Sequence, residues 1–162
     1  MSPLGFSERA RVEPDSRATQ DAARSLGVQL HVLRASTAGE IDAAFASLVK
    51  LRARALVVDD DSYFINHFAQ IIALGARYAV PTIAGWRDFA VAGGLMSYGS
   101  DLANTYRQVG LYAGKILKGS QPADLPVQQV VKIEMVVNLK TAKRLGITFP
   151  LPLIGRADEV IE

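Results

Sequence analysis

The chain predicts an α/β fold, a parallel sheet flanked by helices, on three observations. Short apolar segments alternate with amphipathic ones at short intervals. One of them, "ALVV" at 55–58, is a continuous aliphatic run of the kind buried on both faces of a parallel sheet. Polar or aromatic residues follow directly on successive apolar segments, at Asp59–Ser62, Gly85–Arg87 and Ser97–Ser100. Open parallel sheets bind ligands beyond the carboxyl ends of their strands, which makes these three places the candidate site.

Taken in order, residues 1–14 are polar, hold two prolines and show no period, which predicts a loose arm without a strand. From Asp15 to Leu26, Ala18, Ala22, Ala23 and Leu26 recur at helical spacing, and Gly27 supplies a stop. Residues 28–35 alternate as a strand. "TAGE" at 37–40 is a capping box, with Thr37 accepting from first-turn amides and Glu40 reaching back. The helix behind it carries Ile41, Phe45, Leu48 and Val49 on one face. Ser62 is positioned to cap a further helix whose inner side is Phe64, Phe68, Ile71, Ile72 and Gly75.

"VPTIAG" (80–85) and "GGLMSYG" (93–99) are the next strands. Ser100 or Asp101 opens a long helix with Leu102, Tyr106, Val109, Ala113, Ile116 and Leu117 in register. A loop at 119–126 leads to a strand at 130–138 and a short helix at 139–146, and the rest predicts an extended tail over a surface.

Composition narrows the function. With 162 residues, 49% hydrophobic and 21% charged, the chain has the make-up of one globular domain. There is no cysteine, which removes disulfides, thiolate catalysis and zinc–thiolate sites. The pI is near 9.0, yet the net charge is +2 and no run of Lys and Arg occurs, so no nucleic-acid partner is expected. No apolar run reaches the ~18 residues that span a bilayer, and the opening "MSPLGFSERARVEP" lacks the apolar core of an export signal. Metalloprotease, nucleophile-elbow and phosphate-loop motifs are absent, and neither His31 nor His67 sits in a catalytic pattern; no enzyme, cofactor or metal is indicated.

The most informative stretch is "LVVDDDSYF" (56–64). Three adjacent carboxylates repel unless solvent, a cation or a ligand's positive group relieves them. Asp60 or Asp61 can pair with a ligand ammonium while amides at the start of the Ser62 helix hold an anionic group, a combination that suits an amino acid. The plainer reading is that the aspartates cap that helix. Trp86, the only tryptophan, can stack on a ligand or serve as a core or hinge aromatic. Arg87 can clamp a carboxylate or pair with Asp88 or another nearby acid, and Tyr98 can donate its hydroxyl into a pocket or pack at the sheet end.

The run from Pro81 to Pro126, with "LMSYG" and "AGKILKGSQPADLPV", and the later "VVNLKTAKRLGITFP" and "RADEVIE", strongly resembles the substrate-binding component of a bacterial ABC transporter family. The resemblance covers about residues 17–162 and implies the type I periplasmic-binding-protein fold, with two lobes and the ligand between them. Residues 15–100 then correspond to the second, C-terminal lobe, and 101–162 to a helix, strand and tail returning to hinge and first lobe. The implied ligands are tryptophan, tyrosine and related solutes. Asp60 matches a ligand-facing aspartate; Asp61 and Ser62 take polar positions; Gly85, Trp86 and Arg87 line the cleft; Tyr98 lies near a crossover. Asp59 stands where the family has a small or hydroxyl residue.

The resemblance further implies a small-molecule solute and an ABC permease as partners, no catalysis, and a periplasmic or membrane-anchored extracytoplasmic location. The first lobe and export signal are expected to be missing from this chain. Without that lobe, the apolar face of the long helix predicts a homodimer. The alternative reading is a magnesium-dependent phosphoacceptor domain using Asp59–Asp61.

Overall fold

In the computed structural model the described residues are 4–6, 12–127 and 132–162. The first half-dozen elements alternate strictly. Strand β1 (Leu4–Phe6) and helix α1 (Val12–Ser25) are followed by β2 (His31–Leu33) and α2 (Ala38–Lys50). Next come β3 (Leu56–Val57), α3 (Ser62–Asn66) and α4 (Phe68–Arg77). β4 (Thr82–Ala84), α5 (Arg87–Val91) and β5 (Met96–Ser100) lead to the long α6 (Leu102–Leu117). β6 (Ile133–Asn138), α7 (Leu139–Arg144), α8 (Leu151–Ile154) and β7 (Glu159–Ile161) complete the chain.

The sheet is mostly parallel, as the alternation predicts. β3, β4 and β5 run parallel in that order, and β1 pairs with β2 in parallel and lies beside β3. Three expectations need correction. β6 is antiparallel to β5, because it returns from the α6 excursion rather than through a crossover helix. The tail is not merely extended: it forms α8, and β7 pairs in parallel with β6. Residues 1–14 are not strandless, since Leu4–Phe6 register against His31–Leu33 and α1 already begins at Val12. β6 and β7 therefore extend the same sheet as β3–β5, across the division expected near residue 100. Residues 130 and 131 of the expected sixth strand lie outside the described residues.

Local chemistry sets the helix ends. The Thr37 hydroxyl accepts from Glu40 N–H at 3.2 Å, and the Glu40 carboxylate accepts from the amide and hydroxyl of Ser36, one residue further back than a standard capping box. The Ser36 donors hold the Glu40 carboxyl below its ordinary pKa. Gly27, at φ 65°, ends α1 in the left-handed conformation that favours glycine. The expected single helix after Asp61 is two: it breaks at His67, whose Nδ1–H donates to the Tyr63 carbonyl while its ring stacks on Tyr63.

Two apolar clusters hold these layers. The larger joins Phe45 and Leu48 of α2, Phe64, Ile71 of α4 and Phe89 of α5 to Leu56 and Val58 at the sheet. The smaller packs Ala142 and Phe149 against Leu95 and Val137. Buried Asn138 links the two ends of this second layer: its side chain donates to the Ala90 carbonyl and accepts from Thr141 N–H at the start of α7. α6 stands apart, with no buried residue.

Phe45 is fully buried in the larger cluster and stacks near Tyr78. Phe45→Ala is expected to lower unfolding free energy by about 3–5 kcal/mol in denaturant titration. A loss under ~1 kcal/mol would mean that the cluster does not carry the fold.

Candidate functional site

The three parallel strands β3, β4 and β5 end side by side, and glycines close the gap between them. A Cβ on Gly99 would overlap the Gly85 backbone, and a Cβ on Gly85 would overlap the Asp60 carboxylate. The chain leaving β4 thus crosses the end of β5 in direct backbone contact, and Asp60 folds over that crossing. Its Oδ1 accepts from Gly85 N–H at 3.1 Å; Oδ2 makes no hydrogen bond among the described residues. Loss of solvent pushes the Asp60 carboxyl above its ordinary pKa, the Gly85 N–H opposes that shift, and neighbouring Asp59 adds to it.

The three aspartates are eased by divergence. Asp59 accepts from Asp60 N–H at 2.9 Å, Asp60 from Gly85, and Asp61 from Tyr63 N–H at 2.7 Å. Each carboxylate thus turns to a different amide rather than toward one shared ion. Among the described residues no group of three or more His, Asp or Glu side chains could hold a metal ion. The cap of α3 is Asp61 and not Ser62, because the longer Asp side chain in extended backbone reaches the Tyr63 amide. Ser62 begins the helix, and its carbonyl accepts from Asn66.

The other candidates separate. Trp86 lies in the larger core, 7% exposed, edge-on to Phe89 at 5.4 Å, with its indole N–H unpartnered among the described residues. It supports the rim from beneath instead of offering a stacking face. Arg87 is engaged: Nε and Nη2 donate to the Glu159 carboxylate at 2.7–2.9 Å, with Asp88 at 4.0 Å. That bidentate bridge raises the Arg87 pKa further and ties the start of α5 to β7. Tyr98 is 60% exposed beside Gly99, and strand alternation sends its ring from the face opposite the Gly99–Gly85 contact.

Asp60, Gly85 and the Tyr98–Gly99 segment therefore meet at one sheet end. Sequence reasoning held Gly99 within the Ser97–Ser100 stretch without giving it a role, and missed Glu159. The glycine after Tyr98 was a usable signal, since a strand glycine often marks close backbone approach. Glu159 lies 72 positions from Arg87 and offered none.

The model of the family described as ABC transporter substrate binding protein matches residues 6–161. No curated protein matches significantly. Among solved structures, a conserved domain protein from Vibrio cholerae is similar at 20% identity and TM-score 0.86, over 98% of this chain and 54% of that one. An ABC domain in complex with L-Trp from Streptococcus pneumonia is similar at 22% identity and TM-score 0.84, over 99% of this chain and 55% of that one. The ligand-free, open structure of CD0873, an adhesive substrate-binding protein from Clostridium difficile, gives 20% and 0.71, over 99% and 53%. The chain spans about half the length of these structures, and the likeness shows the fold.

Two outcomes test the rim. Asp60→Asn keeps an acceptor for Gly85 and removes a charge whose folded pKa is raised. Folding therefore loses stability as pH rises from the unfolded carboxyl pKa through the folded one. The variant is expected to melt above wild type at neutral pH, and the gap should close as pH falls below that window. A lower melting point at neutral pH would contradict the assignment. Gly99→Ala, which must push Gly85 aside, is expected to destabilise by ~1–3 kcal/mol in denaturant titration; a neutral result would contradict the close approach. The family model spans nearly the whole chain, and the chain belongs to the ABC transporter substrate-binding protein family.

Proposed function

We propose that this chain is one jaw of a solute-binding protein serving an ABC uptake system, holding a small polar or aromatic solute such as an amino acid. The observation that carries the reading is Asp60: one carboxylate oxygen is fixed on Gly85 N–H and the other is free at an open sheet end. A fixed, solvent-reaching carboxylate is a suitable partner for a ligand ammonium. The L-Trp in the similar Streptococcus structure supports an amino-acid ligand.

In this reading Asp60 and Gly85 contact the solute, and the Tyr98 ring, on the opposite face of β5, stays outside the contact. Asp61 fixes the turn that carries Asp60, and exposed Ser62 adds a hydroxyl at its edge. Trp86 supports the floor from below, and Arg87 braces the loop through Glu159. Residues 15–100 supply the rim and 101–162 return toward the hinge. Binding is without catalysis, the protein works outside the cytoplasm, and an ABC permease receives the solute. Closure of two jaws would bury the ligand, so a single jaw binds weakly.

α6 supports a further part of the proposal. Leu102, Val109 and Ile116 are exposed on one face, and Tyr106 and Leu117 reach 72% and 87%. An apolar stripe of that length is costly in water. A second copy covers it in a homodimer.

Trp86 is the sole tryptophan and adjoins Gly85, so its emission reports on the rim. Titrating a panel of amino acids is expected to shift that emission with a dissociation constant above about 1 μM, weaker than roughly −8 kcal/mol, and Asp60→Ala should abolish the response. A response unaffected by Asp60→Ala would overturn the site. Light scattering is expected to give the mass of a dimer, and Tyr106→Asp with Val109→Asp to give a monomer; a wild-type monomer at high concentration would remove the dimer.

A further inference from the structure

The sequence has no run of basic residues, but the fold builds a basic end. α2 ends at Lys50, and the turn to β3 carries Arg52 and Arg54. α4 ends at Arg77, just before β4. The starts of β3 and β4 lie together, since Leu56 N–H donates to the Pro81 carbonyl, and β5 starts beside them through Leu95 N–H to the Thr82 carbonyl. Because β6 is antiparallel to β5, α7 begins at this same end. The Thr141 hydroxyl donates to the Gly93 carbonyl, and a Cβ on Gly93 would lie 3.3 Å from Ile72 Cγ2 of α4 and 3.8 Å from Arg144 Nη2. Lys143 and Arg144, in the last turn of α7, thereby join the cluster.

All six cations are exposed, and none forms an ion pair with a carboxylate among the described residues. Arg77 lies over the Tyr78 ring and Arg144 donates to Thr141. No Asp or Glu occurs in 43–58, 62–87 or 135–157, the stretches that build this end. The acids gather at the opposite end, with Asp59–Asp61 after β3 and Asp88 after β4. Basic residues in the last turn of a helix complement its dipole, which accounts for Lys50, Arg77, Lys143 and Arg144 singly. It does not account for Arg52 and Arg54 beyond the helix end, nor for the missing acids.

We infer that this end of the sheet docks on a bilayer surface bearing anionic phosphate headgroups. The cations project from separate turns rather than lining one track, which suits an extended anionic plane. Val49 and Leu51, on either side of Lys50, are 58% and 37% exposed and can enter the headgroup layer. A transporter component also works beside a membrane. Docked this way, the lobe points its acidic rim away from the lipid. The inference stands apart from the solute site, and its failure would leave that site untouched.

The test is flotation of the whole 162-residue chain with vesicles of phosphatidylcholine alone, or of equal parts phosphatidylcholine and phosphatidylglycerol. Binding is expected only to the anionic vesicles, and to vanish at high salt. Each basic residue near a lipid surface accounts for roughly a fivefold change in partitioning. The triple variant Arg52→Gln, Arg54→Gln, Arg77→Gln is then expected to lose about a hundredfold. A second set, Lys50→Gln, Arg54→Gln, Lys143→Gln, spares the Arg77–Tyr78 contact and is expected to lose as much. Arg107→Gln, Lys115→Gln, Lys118→Gln, on α6 and at its C-terminal cap, removes the same net charge and is expected to change little. Equal binding to both vesicles, equal losses for the basic-end and α6 sets, or tighter binding to duplex DNA than to anionic vesicles at the same salt would overturn the inference.

Discussion

At the end of β4 the chain runs over β5 with backbone against backbone, and everything at the rim follows from that contact. Any side chain at Gly99 would strike Gly85, and any at Gly85 would strike Asp60. The crossing therefore exposes an amide at the sheet end, and the Asp60 carboxylate settles on it. That single hydrogen bond orients the carboxylate and leaves its second oxygen free, while burial against the crossing partly desolvates the group. The raised pKa of Asp60 is the electrostatic trace of this placement. Around it, Asp61 fixes the turn by capping α3, Trp86 fills the space beneath, and Arg87 anchors the loop to β7 through Glu159. Sequence-distant segments thus converge to hold one acidic side chain at an open sheet end.

The same topology sorts charge along the strands. Parallel strands put every turn that follows a strand at one end and every turn that precedes one at the other. Here the turns after β3 and β4 carry Asp59–Asp61 and Asp88, with Arg87 taken up by Glu159, and the turns before them carry Arg52, Arg54 and Arg77. A net charge of only +2 conceals this separation, because the two ends nearly cancel. α6 adds a third surface of different character, apolar and unburied. The three surfaces differ in chemistry: one acidic, one basic and one apolar.

Much of this was legible in the residues. The Thr37 cap, the Asp101 cap and the glycine stop at Gly27 are read from local rules, because each depends on neighbours within four positions. The apolar run before Asp59 placed the aspartates at a strand end, but the strand is not buried on both faces as expected, because Val57 is 38% exposed on an uncovered side. What escaped reading depends on distant partners. β1 and β7 are three-residue strands in polar surroundings, too short to show a period, and they exist because β2 and β6 supply their hydrogen bonds. For Trp86 and Arg87 the sequence left a ligand role and a structural one open, and the partners that decide between them, Phe89 packing in the core and the distant Glu159, show only in space. The basic end is assembled from segments more than 90 residues apart and has no linear signature.

The most direct measurement of the central claim is the backbone amide spectrum of the isotope-labelled chain during titration with L-tryptophan and a panel of other amino acids. The account predicts that at least one solute moves the Gly85 amide most, with Asp60 and the Tyr98–Gly99 pair next, while α6 and the basic end stay fixed. A rim that stays stationary across the panel at saturating solute, or shifts confined to α6, would contradict it.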